Sequence, residues 1–153
     1  MSRARPLMAA LLLAVGSFSA DWAAAQDYPA SVKDLIARTK TQVKTIDMAA
    51  FKSALEKREA GLVVDVREPD EYRDGHIPGA INIPRGVIEL SIWPQVGFPD
   101  ATDTNRRITL YCGSGVRCVL AAKSLQDLGF TNVVAVDMRI ADWAKAGYPL
   151  VTE

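Results

Sequence analysis

An apolar, β-branched run, Ile108-Thr109-Leu110-Tyr111, ends at Cys112, turns through Gly113-Ser114-Gly115-Val116-Arg117 and enters a helix-like stretch from Cys118 to Leu128. A strand that feeds a helix through so short a turn is the repeating unit of a parallel sheet, whose neighbouring strands need crossovers between them. The two glycines let the backbone turn sharply. Free N–H groups at the helix start would then point back at the Cys112 sulfur. With Arg117 they would favour a thiolate over a thiol. A cysteine that merely ends a buried strand needs neither the glycine turn, the arginine nor the helix.

The rest of the chain repeats this alternation. Residues 26–44, with Val32, Leu35, Ile36 and Val43 among lysines and threonines, predict a short amphipathic helix or an arm lying on the domain. Asp47 is placed to cap a helix through about Lys57, with Met48, Phe51 and Leu55 on one face and Gly61 as its stop. Residues 62–66 read as a buried strand. Glu68-Pro69 opens a brief helix that ends at Gly75, and residues 80–83 form a strand stopped by Pro84. A helix over 87–93 and a polar loop to Arg107 follow. After the cysteine segment, Gly129 stops the helix, residues 133–136 form a strand, and a last helix over 140–146 is closed by Gly147 and Pro149. In such sheets, sites gather at the carboxyl ends of strands, where Cys112 sits.

At 153 residues the chain has room for one domain with a real core. Its first 25 residues read as a secretory signal rather than as part of the fold. Arg3 and Arg5 supply the positive end, residues 7–15 the apolar core, and Ala23-Ala24-Ala25 the small residues before cleavage at Gln26. The apolar stretch falls short of the roughly 20 residues needed to span a bilayer, so the expectation is a periplasmic or secreted chain without a stable membrane anchor. Cleavage removes two arginines and one aspartate and leaves a net charge near −1. Neither sign dominates and no basic run stands out, which argues against a nucleic-acid partner. Export would place Cys112 and Cys118 where disulfides persist, leaving a structural, reversible or inhibitory bridge open. No histidine and cysteine cluster has metal-ligand spacing, and neither a metal nor a cofactor is expected.

Five pieces of the chain, in order, resemble the rhodanese-like domain, a sulfurtransferase family. They are Val64-Asp65-Val66-Arg67; Glu68-Pro69-Asp70-Glu71-Tyr72; Gly75-His76-Ile77-Pro78-Gly79-Ala80-Ile81-Asn82-Ile83-Pro84; the loop from Cys112 to Arg117; and Trp143-Ala144-Lys145-Ala146-Gly147-Tyr148-Pro149-Leu150. The resemblance covers residues 45–151. It implies an α/β fold, a five-stranded, mostly parallel sheet with helices on both faces, and a Cys112 that carries sulfane sulfur as a persulfide. Substrate would be bound by backbone N–H groups from Gly113, Ser114, Gly115, Val116 and Cys118, while Arg117 would orient an anionic donor. Pairing of Arg117 with an acidic neighbour is the competing role. The loop reads Cys-x4-Arg, whereas rhodanese-like phosphatases resemble Cys-x5-Arg, and the shorter loop suits sulfur. His76, the chain's one histidine, resembles a structural residue that holds a turn, and Asp65 and Arg67 resemble a bracing pair. Trp143 is expected to anchor the core. Met138 and Arg139 stand where family members commonly have two glycines, and Arg139 would either add charge to the pocket or start a helix on the surface.

The reading that follows is a sulfurtransferase moving sulfane sulfur from a small anionic donor such as thiosulfate to a thiophilic acceptor, in a ping-pong reaction through Cys112. A protein acceptor and a thiol reductant are left open as partners. The alternatives are a non-catalytic module that binds an anion or a partner, and thiol-disulfide exchange between Cys112 and Cys118.

Overall fold

The computed structural model describes residues 28–153, so the expected signal segment, 1–25, lies outside the described residues. The described chain is a five-stranded sheet with helices on both faces. Helix α1 (Ala30–Lys40) precedes strand β1 (Lys44–Asp47) and helix α2 (Met48–Glu56). Then come β2 (Leu62–Asp65), α3 (Pro69–Asp74), β3 (Ile81–Asn82) and the single turn α4 (Ile88–Ser91). The chain closes with β4 (Ile108–Tyr111), α5 (Val116–Asp127), β5 (Val133–Asp137) and α6 (Ile140–Lys145). Strand order is β1-β5-β4-β2-β3, and every pairing is parallel.

Strand alternation divides the core in two. Val64, Ile108, Leu110, Val133 and Ala135 face one side, where α5 supplies Cys118, Val119, Ala122 and Leu125. Val63, Tyr111 and Val136 face the other, against Phe51 of α2 and Trp143 of α6. Trp143 is fully buried, lies 5.6 Å from the Phe51 ring and donates its indole N–H to the Pro149 carbonyl at 3.0 Å, as a core anchor with a satisfied polar handle does.

Several elements differ from the sequence expectation for local reasons. Strand β1 is absent from that expectation because Lys44, Thr45 and Asp47 are exposed and only Ile46 is apolar. It is an edge strand held by pairing with β5. Asp47 does cap α2, accepting from the Ala50 N–H at 2.8 Å. Gly61 does not stop that helix, which has already ended with Arg58 in the left-handed region. It serves the entry to β2, at φ +70°, where a Cβ would lie 2.3 Å from the Arg107 carbonyl oxygen. The helix expected over 87–93 is the α4 turn flanked by 3-10 turns, Arg85–Val87 and Trp93–Val96, because Pro94 interrupts it.

The carboxyl end of β2 is fixed by a buried ion pair. Asp65 is wholly buried and Arg67 is 5% exposed. The Arg67 Nε and Nη2 donate to both Asp65 carboxylate oxygens at 2.6–3.0 Å, and Nη2 also donates to the Gly75 carbonyl at 2.7 Å. Burial opposes the Arg67 charge, but the Asp65 carboxylate outweighs it and raises the guanidinium above its ordinary value. His76 lies in the same region as a structural residue. Its Nδ1 contacts the Tyr72 carbonyl at 2.9 Å, its ring stacks on Tyr72, and its backbone pairs with Val151. Breaking a buried pair leaves one charge uncompensated, so Asp65→Asn is expected to lower unfolding stability by about 3–5 kcal/mol. Urea denaturation followed by tryptophan fluorescence measures this.

Candidate active site

Cys112 follows directly on β4 and is fully buried at the base of a tight loop. Gly115 ends that loop at φ +80°, in the left-handed region, and caps α5. A side chain there would be strained, and its Cβ would also sit 3.0 Å from the Asp137 Oδ1. The turn therefore brings the Cys118 N–H, in the first turn of α5, to the Cys112 sulfur. The far side of the loop is tied down by the Ile140 N–H, which donates to the Gly113 carbonyl at 3.1 Å.

Cys118 sits in the first turn of α5 with its Sγ 3.7 Å from the Cys112 Sγ, and both cysteines are free thiols. Their surroundings give the two sulfurs opposite tasks. The Cys112 sulfur lies against the Cys118 thiol and the backbone N–H groups of Cys118 and Ser114, and it feels the Arg117 charge. The Cys118 sulfur faces carbonyls, that of Gly115 at 3.3 Å and that of Val136 at 3.4 Å. Donors stabilise a thiolate and acceptors penalise one. The Cys118 thiol, with the loop N–H groups behind it, holds Cys112 down to about 6 against its burial. The hydrogen bond to Cys112, burial and the negative charge of Cys112 push Cys118 well above the ordinary thiol range.

Arg117 reaches back across the loop and forms a bidentate pair with Glu71 of α3, Nη1 to Oε2 at 2.6 Å and Nη2 to Oε1 at 2.8 Å. The hydrogen bond from Arg117 holds the Glu71 carboxyl below its usual range, and Glu71 in turn raises the Arg117 guanidinium. Glu71 also accepts from the Glu68 N–H at 3.1 Å in the capping box that starts α3. In the sequence, Glu71 stands only within the Glu68-Pro69-Asp70-Glu71-Tyr72 motif. Its helix-capping spacing was legible, but its partner lies 46 residues away.

The structure places Cys112, Gly113, Ser114 and Gly115 in the loop and Val116, Arg117 and Cys118 in the first turn of α5, with Asp65 and Arg67 behind them and His76 further along the α3 side. Arg139 stands apart: its side chain is 55% exposed and pairs with Asp142 at 2.7–2.8 Å. Met138 is 7% exposed and packs in the core, and neither residue has a positive φ. The loop has thus taken a shape that needs no glycine there. Asp137, the residue before them, contacts Gly115 and accepts two 3.0 Å hydrogen bonds from Lys40 at the end of α1. An open groove of about 220 Å³ is lined by Arg67, Glu71 and Asp74 together with Ile140, Ala144 and Leu150. Among the described residues, no group of three or more His, Cys, Asp or Glu could hold a metal, and no helix is long and apolar enough to cross a membrane.

Residues 47–146 match the family model described as the rhodanese-like domain. The chain is 30% identical over 109 residues to a sulfurtransferase of Allochromatium vinosum, covering 71% of this chain and 95% of that protein. It is 32% identical over 103 residues to YrkF of Bacillus subtilis, whose name proposes a sulfur carrier; the match covers 67% of this chain and 52%, about half, of YrkF. Among solved structures, a protein of unknown function from Rhodopseudomonas palustris, described as a possible tyrosine phosphatase, superposes with a TM-score of 0.66. That match has 29% identity and covers 82% of this chain and 98% of the other.

The allotment of charge within the sulfur pair has a spectroscopic consequence. Ultraviolet thiolate absorbance is expected to rise in one step near pH 6 and to show no second step until well above an ordinary thiol, about 8.5. Because a lowered value keeps the thiolate down to that lower pH, Cys112→Ser should remove the first step. An onset above about pH 8 in the wild-type protein would contradict the geometry.

Proposed function

We propose that this chain, which belongs to the rhodanese-like domain family, is a sulfurtransferase that carries sulfane sulfur on Cys112. The observation that carries the reading is the buried Cys112 sulfur ringed by the Cys118 thiol, 3.7 Å away, and by the backbone N–H groups of Cys118 and Ser114. Such a ring stabilises an attacking thiolate and, after attack, the anionic outer sulfur of a persulfide. The Cys112 thiolate takes the outer sulfur of a donor such as thiosulfate and sulfite departs with the electron pair. A thiophilic acceptor then removes the sulfur and restores the thiolate.

Arg117 can assist an anionic donor although Glu71 holds it. The pair is about one-third exposed, and ion pairs of that kind are worth about 0–1 kcal/mol, so an incoming anion can draw the guanidinium away at small cost. The phosphatase description of the Rhodopseudomonas palustris protein suggests phosphate chemistry as a second reading. The four-residue gap between Cys112 and Arg117 favours sulfur, because one residue more is what widens the loop toward a phosphate. Export completes the proposal, on the strength of Arg3, Arg5, the apolar run and the alanines before Gln26.

Brief incubation of the reduced protein with thiosulfate should first add the mass of one sulfur atom, placed on Cys112 by peptide mapping of samples quenched at early times, and Cys112→Ser should take up none. Turnover of an aryl phosphate with no sulfur uptake from several donors would reverse the assignment. In cell fractionation, the chain should be recovered outside the cytoplasm with Gln26 at its N-terminus.

A further inference from the structure

Sulfur transfer needs one nucleophilic sulfur, that of Cys112. The backbone N–H of Cys118 would serve the loop whatever the residue, yet a second buried thiol lies in contact with the first, 3.7 Å away. We propose that Cys118 is a resolving thiol, whose sulfur attacks the Cys112 sulfur of the persulfide, expels the outer sulfur as hydrosulfide and leaves a Cys112–Cys118 disulfide. The proposal rests on Cys112 carrying a persulfide.

The geometry favours this internal route. Cys112 begins the loop and Cys118 lies in the first turn of the helix it leads into, so the fold has already brought the reactants together. Closing from 3.7 Å to the roughly 2.05 Å of a disulfide needs a shift of about 1.6 Å, within reach of side-chain rotation and loop adjustment. An external acceptor must instead enter the loop to reach a sulfur bonded to the fully buried Cys112.

The surroundings also time the step. While Cys112 is a thiolate, its hydrogen bond with Cys118 and its own negative charge act with burial to keep Cys118 protonated. Once sulfur is added, the negative charge moves to the outer atom, and both restraints weaken. The Cys118 proton then leaves toward the departing sulfur or solvent. The Cys118–Cys112 bond forms, the bond from Cys112 to the outer sulfur breaks, and the electron pair goes out with hydrosulfide. The sulfane sulfur is reduced and the two cysteines are oxidised. An external dithiol is required to reopen the bridge before another turnover.

The test uses the reduced protein and excess thiosulfate, without acceptor and without oxygen, reading released sulfide and intact mass. The wild-type chain should release one equivalent of sulfide and end two hydrogens lighter than it began, with Cys112 and Cys118 joined in one peptide. Cys118→Ala, checked for folding by circular dichroism with Cys118→Ser beside it, should load more slowly, keep the added sulfur and release no sulfide. A wild-type chain that holds its added sulfur and releases none would overturn the resolving step while leaving the sulfurtransferase reading intact. So would equal sulfide release from the Cys118 variants. A wild-type chain that neither takes up sulfur nor releases sulfide would instead overturn the sulfurtransferase reading, and this step with it.

Discussion

The buried Asp65–Arg67 pair is the constraint on which the site's surroundings depend. Asp65 ends β2, and its carboxylate also accepts the Arg67 backbone N–H at 2.9 Å, so the chain must bend where the strand stops. Arg67 extends the restraint to Gly75 at the end of α3. Asn82 locks the outside of the bend by donating to the carbonyls of Asp65 and Arg67. The helix so positioned presents Glu71 to Arg117, and the Arg67 side chain lies alongside Gly113. Charges taken out of water are costly unless well paired, which is why this pair can fix one arrangement of the strand ends.

Within that frame, the positive character of the cysteine loop comes chiefly from donors rather than from a free cation. Arg117 is shared with Glu71, and Arg139 turns outward to Asp142. What remains at the Cys112 sulfur are fixed N–H dipoles and a neighbouring thiol. Fixed dipoles need no reorganisation as charge shifts between the inner and outer sulfur. A site built in this way can serve both halves of a transfer reaction.

Local features of the chain were legible where one short segment carries both cause and effect. The strand, Gly-x-Gly turn and helix around Cys112 could be read directly, as could the Asp47 cap and the core role of Trp143. The Asp65–Arg67 pair, two residues apart, was readable from the family pattern. What escaped reading depends on partners distant in the chain. Strand β1 has one apolar residue and exists because β5 pairs with it, and Glu71 and Lys40 gain their roles from residues 46 and 97 positions away. The Met138-Arg139 departure shows the complementary case: a pattern glycine is dispensable when the backbone there keeps an ordinary negative φ.

The pairing of β1 with β5 also bears on solubility. Lys44, Thr45, Ile46 and Asp47 lie beside Val134, Ala135, Val136 and Asp137, while the match to the family model begins only at residue 47. A domain cut at that boundary would lose most of β1 and expose the backbone edge of the apolar strand β5. Open apolar edges recruit strands from other molecules and seed aggregates. In the intact chain, a short and largely polar strand takes that edge, and Lys40, just before it, is tied to Asp137 at the far end of β5. The segment ahead of the matched region thus covers a strand edge that would otherwise stand open.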